Sequence, residues 1–125
     1  MMNLNFIVNC GTGALTLYFP VPCRGIVKSL TIVPQKTVAV GDTVDIQRDS
    51  TSVNLATTTV VTAGVALDGT PDTTNKDLIF DPDSDTEAYN KLKIVVSALE
   101  TASTLVGITI EYDPSCAVEQ EALEA

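Results

Sequence analysis

The chain has 125 residues, with no His, no Trp and a formal charge of −9 from 7 basic and 16 acidic side chains. Without His it lacks the side chain most used for proton transfer near neutral pH, and a pI near 4.1 argues against a nucleic-acid surface, which needs clustered Lys and Arg. This length suits one domain that buries about two thirds of its unfolded surface.

Forty residues are Thr, Val or Ile, whose branched Cβ is restricted in a helix but packs well on a strand face. Asn3 to Asn9 reads as a first strand, and Cys10-Gly11-Thr12-Gly13 predicts a hairpin turn. Ala14 to Phe19 alternates Leu15, Leu17 and Phe19 against Thr16 and Tyr18, the period-two pattern of a half-buried strand. Pro20-Val21-Pro22 then interrupts ladder pairing. Arg24 to Val33 is the longest early strand; strict alternation places Ile26, Lys28, Leu30 and Ile32 on one face, and Pro34 ends the run.

Gly41-Asp42 signals a turn, and Thr43 to Arg48 alternates again with Val44 and Ile46 inward. Asp49 to Ser52 is a polar turn, and Val53 to Thr62 is one bent strand or two short ones. Ala63 to Asn75, with Gly64, Gly69 and Pro71, reads as a long surface loop; Lys76 to Phe80 is a brief strand and Asp81 to Glu87 an acidic connection. Lys91 to Ala98 and Thr104 to Tyr112 are the clearest strands. Seven to nine short strands without a helix predict an all-β, antiparallel β-sandwich or jelly-roll over residues 1–113, with an open barrel as the alternative. Residues 114–125 form a short, flexible acidic tail, too short to hold a helix unaided.

No apolar run approaches the ~18 residues of a membrane helix, and an anionic membrane surface repels an acidic chain. Met1 to Val8 lacks a basic n-region, so a cytoplasmic product is expected, or one exported with its signal removed. Cys10, Cys23 and Cys116 are expected to be reduced, with a Cys10–Cys23 bridge as the alternative. Their spacing fits no zinc site, and a cysteine nucleophile would lack its His partner.

The sharpest local feature is Asp81-Pro82-Asp83-Ser84-Asp85-Thr86-Glu87. Alternating carboxylates can converge on calcium, but an EF-hand loop from Asp81 needs Gly and Glu where Thr86 and Leu92 stand. A solvated acidic turn is the plainer reading of Asp81, Asp83 and Asp85, with a divalent-cation site as the alternative. A glycosidase-like carboxylate pair is disfavoured by six aromatics in all, and the same shortage weakens a lectin reading. Gly11-Thr12-Gly13 lacks the helix of a phosphate cradle. Lys91 and Lys93 read as same-side residues of one strand. No catalytic residues, metal ligands or cofactor site emerge. Phe19 to Pro22 and the strand carrying Phe6, Ile7 and Val8 are candidate contact surfaces, because an unpaired edge seeks a partner; pairing within its own sandwich is the alternative for that strand.

The run from Gly69 to Phe80, the loop Asp81 to Glu87, and the strands KLKIVVSA and STLVGITIEYD resemble capsid decoration, or cement, proteins of tailed bacteriophages. The stretches VPCRGIVKSLTIV and VGDTVDIQ fit the same all-β pattern, so the resemblance spans about residues 15 to 113. It implies a virion structural protein, made in the host cytoplasm and located on the capsid surface. Its partners would be the major capsid protein and itself, as a homotrimer, with no nucleic acid, membrane or cofactor. It carries no functional residue to a fixed position. A tail, fibre or head-spike component is the nearest rival, and a calcium- or carbohydrate-binding module the rival of another class.

Overall fold

A computed structural model describes residues 2–10, 14–35, 42–57, 63–97 and 104–114. Among the described residues nine strands run in chain order: β1 (Met2–Cys10), β2 (Leu15–Pro20), β3 (Ile26–Pro34), β4 (Thr43–Arg48), β5 (Thr51–Thr57), β6 (Leu67–Asp68), β7 (Thr70–Pro71), β8 (Lys91–Val96) and β9 (Thr104–Asp113). A single 3₁₀ turn at Glu87–Tyr89 is the one helical element among the described residues. The strands form two antiparallel sheets, β1-β9-β3-β6 and β2-β8-β4-β5-β7, packed as a β-sandwich.

The pairings nest: β1 with β9, β2 with β8, β3 with β6 and β4 with β5. This is one long antiparallel ribbon folded back on itself and wrapped into two layers, the jelly-roll arrangement. Each inner face is a set of cross-strand rows. In the first sheet Leu4, Ile110 and Leu30 stand abreast, followed by Phe6, Ile108 and Ile32. In the second, Leu15, Val96, Val44 and Ala56 form one row, and Leu17, Ile94, Ile46 and Asn54 the next. Leu30, Ile32, Val44, Ile46, Ile94 and Ile110 are fully shielded from solvent, and burial of each such side chain stabilises by about 1.5–3 kcal/mol.

Several sequence expectations are corrected. β1 and β2 do not form a hairpin; they lie in opposite sheets, as the chain neighbours β8 and β9 do. Each strand has one apolar face, and placing chain neighbours in facing layers lets both faces share one core. Phe6 meets Phe19 across the layers at a ring-centroid distance of 4.2 Å. Strict alternation also fails in β3, because a β-bulge between Val27 and Ser29 shifts the register. The bulge turns Val27 inward with Leu30 and Ile32 and leaves Lys28 exposed, which avoids the cost of burying an ammonium.

The expected loop at Ala63–Asn75 is instead a structural crossing. β6 pairs with β3 at the edge of one sheet and β7 with β5 at the edge of the other, with Gly69 at the corner, its amide donating to Leu30 O at 2.7 Å. A Cβ on Gly69 would collide with Oδ1 of Asn54, the single buried polar side chain among the described residues. Lys76–Phe80 is not a strand: residues 73–77 form turns, and Phe80 alone bridges to Gly25. Val53–Thr62 is a strand to Thr57, and residues 58–62 fall outside the described residues.

Candidate functional site

The two sides of the sandwich are unequal. On one side the β6–Gly69–β7 crossing joins the layers, and the strands there are two residues long, one ending in Pro71. On the other side lie β1 and β2, the outermost strands of their sheets. Among the described residues no strand is laddered on the second edge of β1. That edge runs nine residues, MNLNFIVNC, without Lys, Arg, Asp, Glu or Pro. Exposed edges are ordinarily protected by charge, proline or shortness, and β1 has none of these.

The inward face of β1 is apolar, with Leu4, Phe6 and Val8, whereas its outward face sets one exposed Ile7 among Asn3, Asn5 and Asn9. Outward, Ile7 is 79% exposed and Leu105 of β9 is 48% exposed. Between them Gly107 pairs with both Ile7 and Val33, leaving the outer face shallow there. Toward the sandwich edge, a cleft of about 520 Å³ is lined by residues from Asn3 to Phe6 and from Pro20 to Pro22. The chain around Pro20 and Pro22 has no amide hydrogen to donate at those positions, so Leu4 and Phe6 are met by ring and methyl surface. The two contact surfaces read from the sequence, β1 and Phe19–Pro22, therefore meet in one place. β1 does pair within its own sandwich, through β9, and that uses one of its two edges.

The acidic segment behaves differently from a cation site. Asp81 Oδ1 accepts the Asp83 amide at 3.0 Å, Ser84 N donates to Asp81 O, and Ser84 Oγ accepts the Thr86 amide at 3.2 Å. These bonds fold a turn on itself and lead into the 3₁₀ turn. No group of three or more acidic or Cys side chains is gathered for a metal ion among the described residues. Asp77 carries the clearest electrostatic perturbation. The Lys76 ammonium hydrogen-bonds it at 2.9 Å and holds its carboxyl below the ordinary Asp value, although both side chains are exposed.

Cys23 is a free, half-buried thiol, so it is not bridged to Cys10. The side chain of Cys10, all of Cys116, the Gly11–Gly13 turn and residues 115–125 of the acidic tail lie outside the described residues.

Sequence reading missed a groove of about 620 Å³ lined by Tyr18, Asp49, Glu87, Lys91 and Lys93. Lys91 and Lys93 do share the outward face of β8, since Leu92 between them is buried. Tyr18 stands opposite Lys93 in the ladder, and Lys91 Nζ lies 5.8 Å from the Tyr18 ring centroid. Arg48 stacks its guanidinium 3.9 Å above the Tyr89 ring and donates from Nη1 to Ile79 O at 3.0 Å. That clamp fixes the short turn that carries Glu87. These residues come from four separate segments, and only the Lys91/Lys93 spacing was visible beforehand.

No family model, curated protein or solved structure matches the chain.

Proposed function

We propose that this is a non-enzymatic virion structural protein that decorates a bacteriophage head, binding the outside of the major capsid protein lattice as a trimer. The observation that carries the reading is the long uncharged edge of β1 beside the cleft at Pro20–Pro22. It offers a strand edge on which no further strand is laddered, beside the apolar surface of Leu4, Phe6 and Pro20–Pro22, the combination used when a strand is added to a sheet. A contact between this edge and a different surface of the next copy is head-to-tail, and it closes into a ring when the rotation is three-fold. The wrapped-ribbon sandwich is also an architecture of viral shells, an analogy of fold that raises the prior without assigning a function. The sequence resemblance to decoration proteins points the same way. Contacts made only to the native shell stabilise it by mass action, summed over many copies.

The test is co-sedimentation with purified heads stripped of their own decoration protein, beside light scattering of the free protein. Saturable binding at a fixed ratio to the major capsid protein, with a solution mass about three times the 13.2 kDa chain, is the expected result. A stable oligomer that leaves the heads bare would move the protein to a tail or fibre; a monomer that does not bind would remove the assembly reading altogether.

A further inference from the structure

The Tyr18 groove makes no use of the β1 edge and stands on its own observations. Its floor is the outer face of β2 and β8, and its rim carries two ammonium groups, Lys91 and Lys93, against two carboxylates, Asp49 and Glu87. The four make no ion pair with one another. Charges of both signs therefore surround one cavity, with the Lys91 ammonium lying over the Tyr18 ring. The Tyr18 ring between them is 56% exposed. The groove's volume lies inside the range of small-molecule sites.

Ligand classes can be weighed against that rim. A polyanion meets Asp49 and Glu87 and a chain of charge −9. A metal ion meets two carboxylates and two ammonium groups, which is a poor oxygen cage. A purely apolar ligand would strip water from four charges without replacing it. A neutral polyol suits every group: its hydroxyls accept from Lys91 and Lys93 and donate to Asp49 and Glu87, while a ring face of C–H bonds covers Tyr18. Arg48, held on Tyr89 and Ile79 O, keeps the Glu87 turn in place before any ligand arrives, which lowers the ordering cost of binding.

We infer that this groove is a binding site for neutral, pyranose-containing glycans, with Tyr18 as the ring platform and Lys91, Lys93, Asp49 and Glu87 as its hydrogen-bonding rim. Single contacts of this kind are weak and gain strength when many copies are displayed together.

The experiment is an array of neutral and acidic glycans probed with the full chain, Tyr18→Ala, Glu87→Gln and Thr16→Ala. Thr16 is exposed on the same strand face but does not line the groove. Thermal melts of each variant report folding. Retention of neutral glycans should fall about tenfold or more in Tyr18→Ala and Glu87→Gln and stay level in Thr16→Ala. Amide shifts at Tyr18, Lys91 and Lys93 on titration with the best neutral glycan would place it in the groove. The inference is overturned by an array with no retained glycan, by retention of acidic glycans only, or by neutral binding that Tyr18→Ala leaves intact.

Discussion

Gly25 is the position where a single methyl group should do the most damage. It is buried beneath Tyr112, and it bridges Phe80 through two backbone hydrogen bonds of 3.0 and 2.8 Å. A Cβ there would lie 2.5 Å from the Asp113 carbonyl oxygen and 2.8 and 2.9 Å from Tyr112 Cε2 and Cζ. Asp113 O belongs to the β9 backbone, so it cannot swing aside as a side-chain end would. Tyr112 is pinned too, its hydroxyl donating to Cys23 O at 2.5 Å. Relief therefore has to come from parting Gly25 from β9, which strains the Phe80 bridge and unpacks two rings that are fully buried. Overpacking costs about 1–3 kcal/mol, and a weakened hydrogen bond about 1 kcal/mol more, so Gly25→Ala should lose about 3 kcal/mol. At roughly 2.1 cal/mol/K per residue, a 125-residue chain unfolds with about 0.26 kcal/mol/K, and the loss becomes a fall of about 11 °C in Tm. The assay is a melt followed by circular dichroism at one fixed protein concentration, because oligomerisation would otherwise shift Tm. Gly107→Ala is the control: its Cβ would meet only Val33 O, at 3.8 Å, an ordinary contact. If Gly25→Ala melts within about 2 °C of the parent, or Gly107→Ala falls as far, the steric reasoning is wrong.

Ile7→Lys places a charge on the open edge without touching the core, so Tm should stay within about 2 °C while oligomerisation and head binding weaken; unchanged assembly would remove β1 from the contact. Calcium or chelator should leave Tm unchanged, since Asp81 already caps its own loop; a calcium-dependent rise would restore the cation site. The Asp77 carboxyl should titrate below an ordinary Asp in an NMR series and move upward in Lys76→Met, because the Lys76 hydrogen bond is the largest cause of its depression. With its folded pKa depressed, the small stabilisation it contributes is present at neutral pH and fades as pH falls through that value. A carboxyl that titrates identically in both proteins would show that the ion pair is not formed in solution.

Strand positions were legible in the sequence because period-two alternation survives in β2, where half-buried and exposed residues alternate, and in β4 and β8, where buried residues alternate with half-buried ones. Partners were not legible, since alternation says which face is buried and nothing about which strand lies alongside. The β3 bulge was hidden for a related reason: one unpaired residue reverses the parity of everything before it. β6 and β7 escaped because two residues carry no period. The β1 edge was half-visible, as an uncharged apolar strand, but its exposure on one side follows only from the sheet order. The Tyr18 groove needed the fold outright. Tyr18, Asp49 and Glu87 have no spacing relation to Lys91 until the turn clamped by Arg48 and the β2–β8 ladder bring them together.

The nested ribbon also sets an order in time. β9, the latest in the chain of the described strands, is the middle partner of both β1 and β3, and β8 stands likewise between β2 and β4. Of the main pairings only β4 with β5 joins neighbours in the chain, so through most of its synthesis the nascent protein can close one hairpin and little else. Completing the layers means joining residues 110 positions apart in one, Met2 with Tyr112, and 81 apart in the other, Leu15 with Val96, a topology of high contact order that folds slowly. The uncharged first strand must wait through that interval without its partner, which makes the nascent chain, more than the finished domain, the species with most to gain from a chaperone.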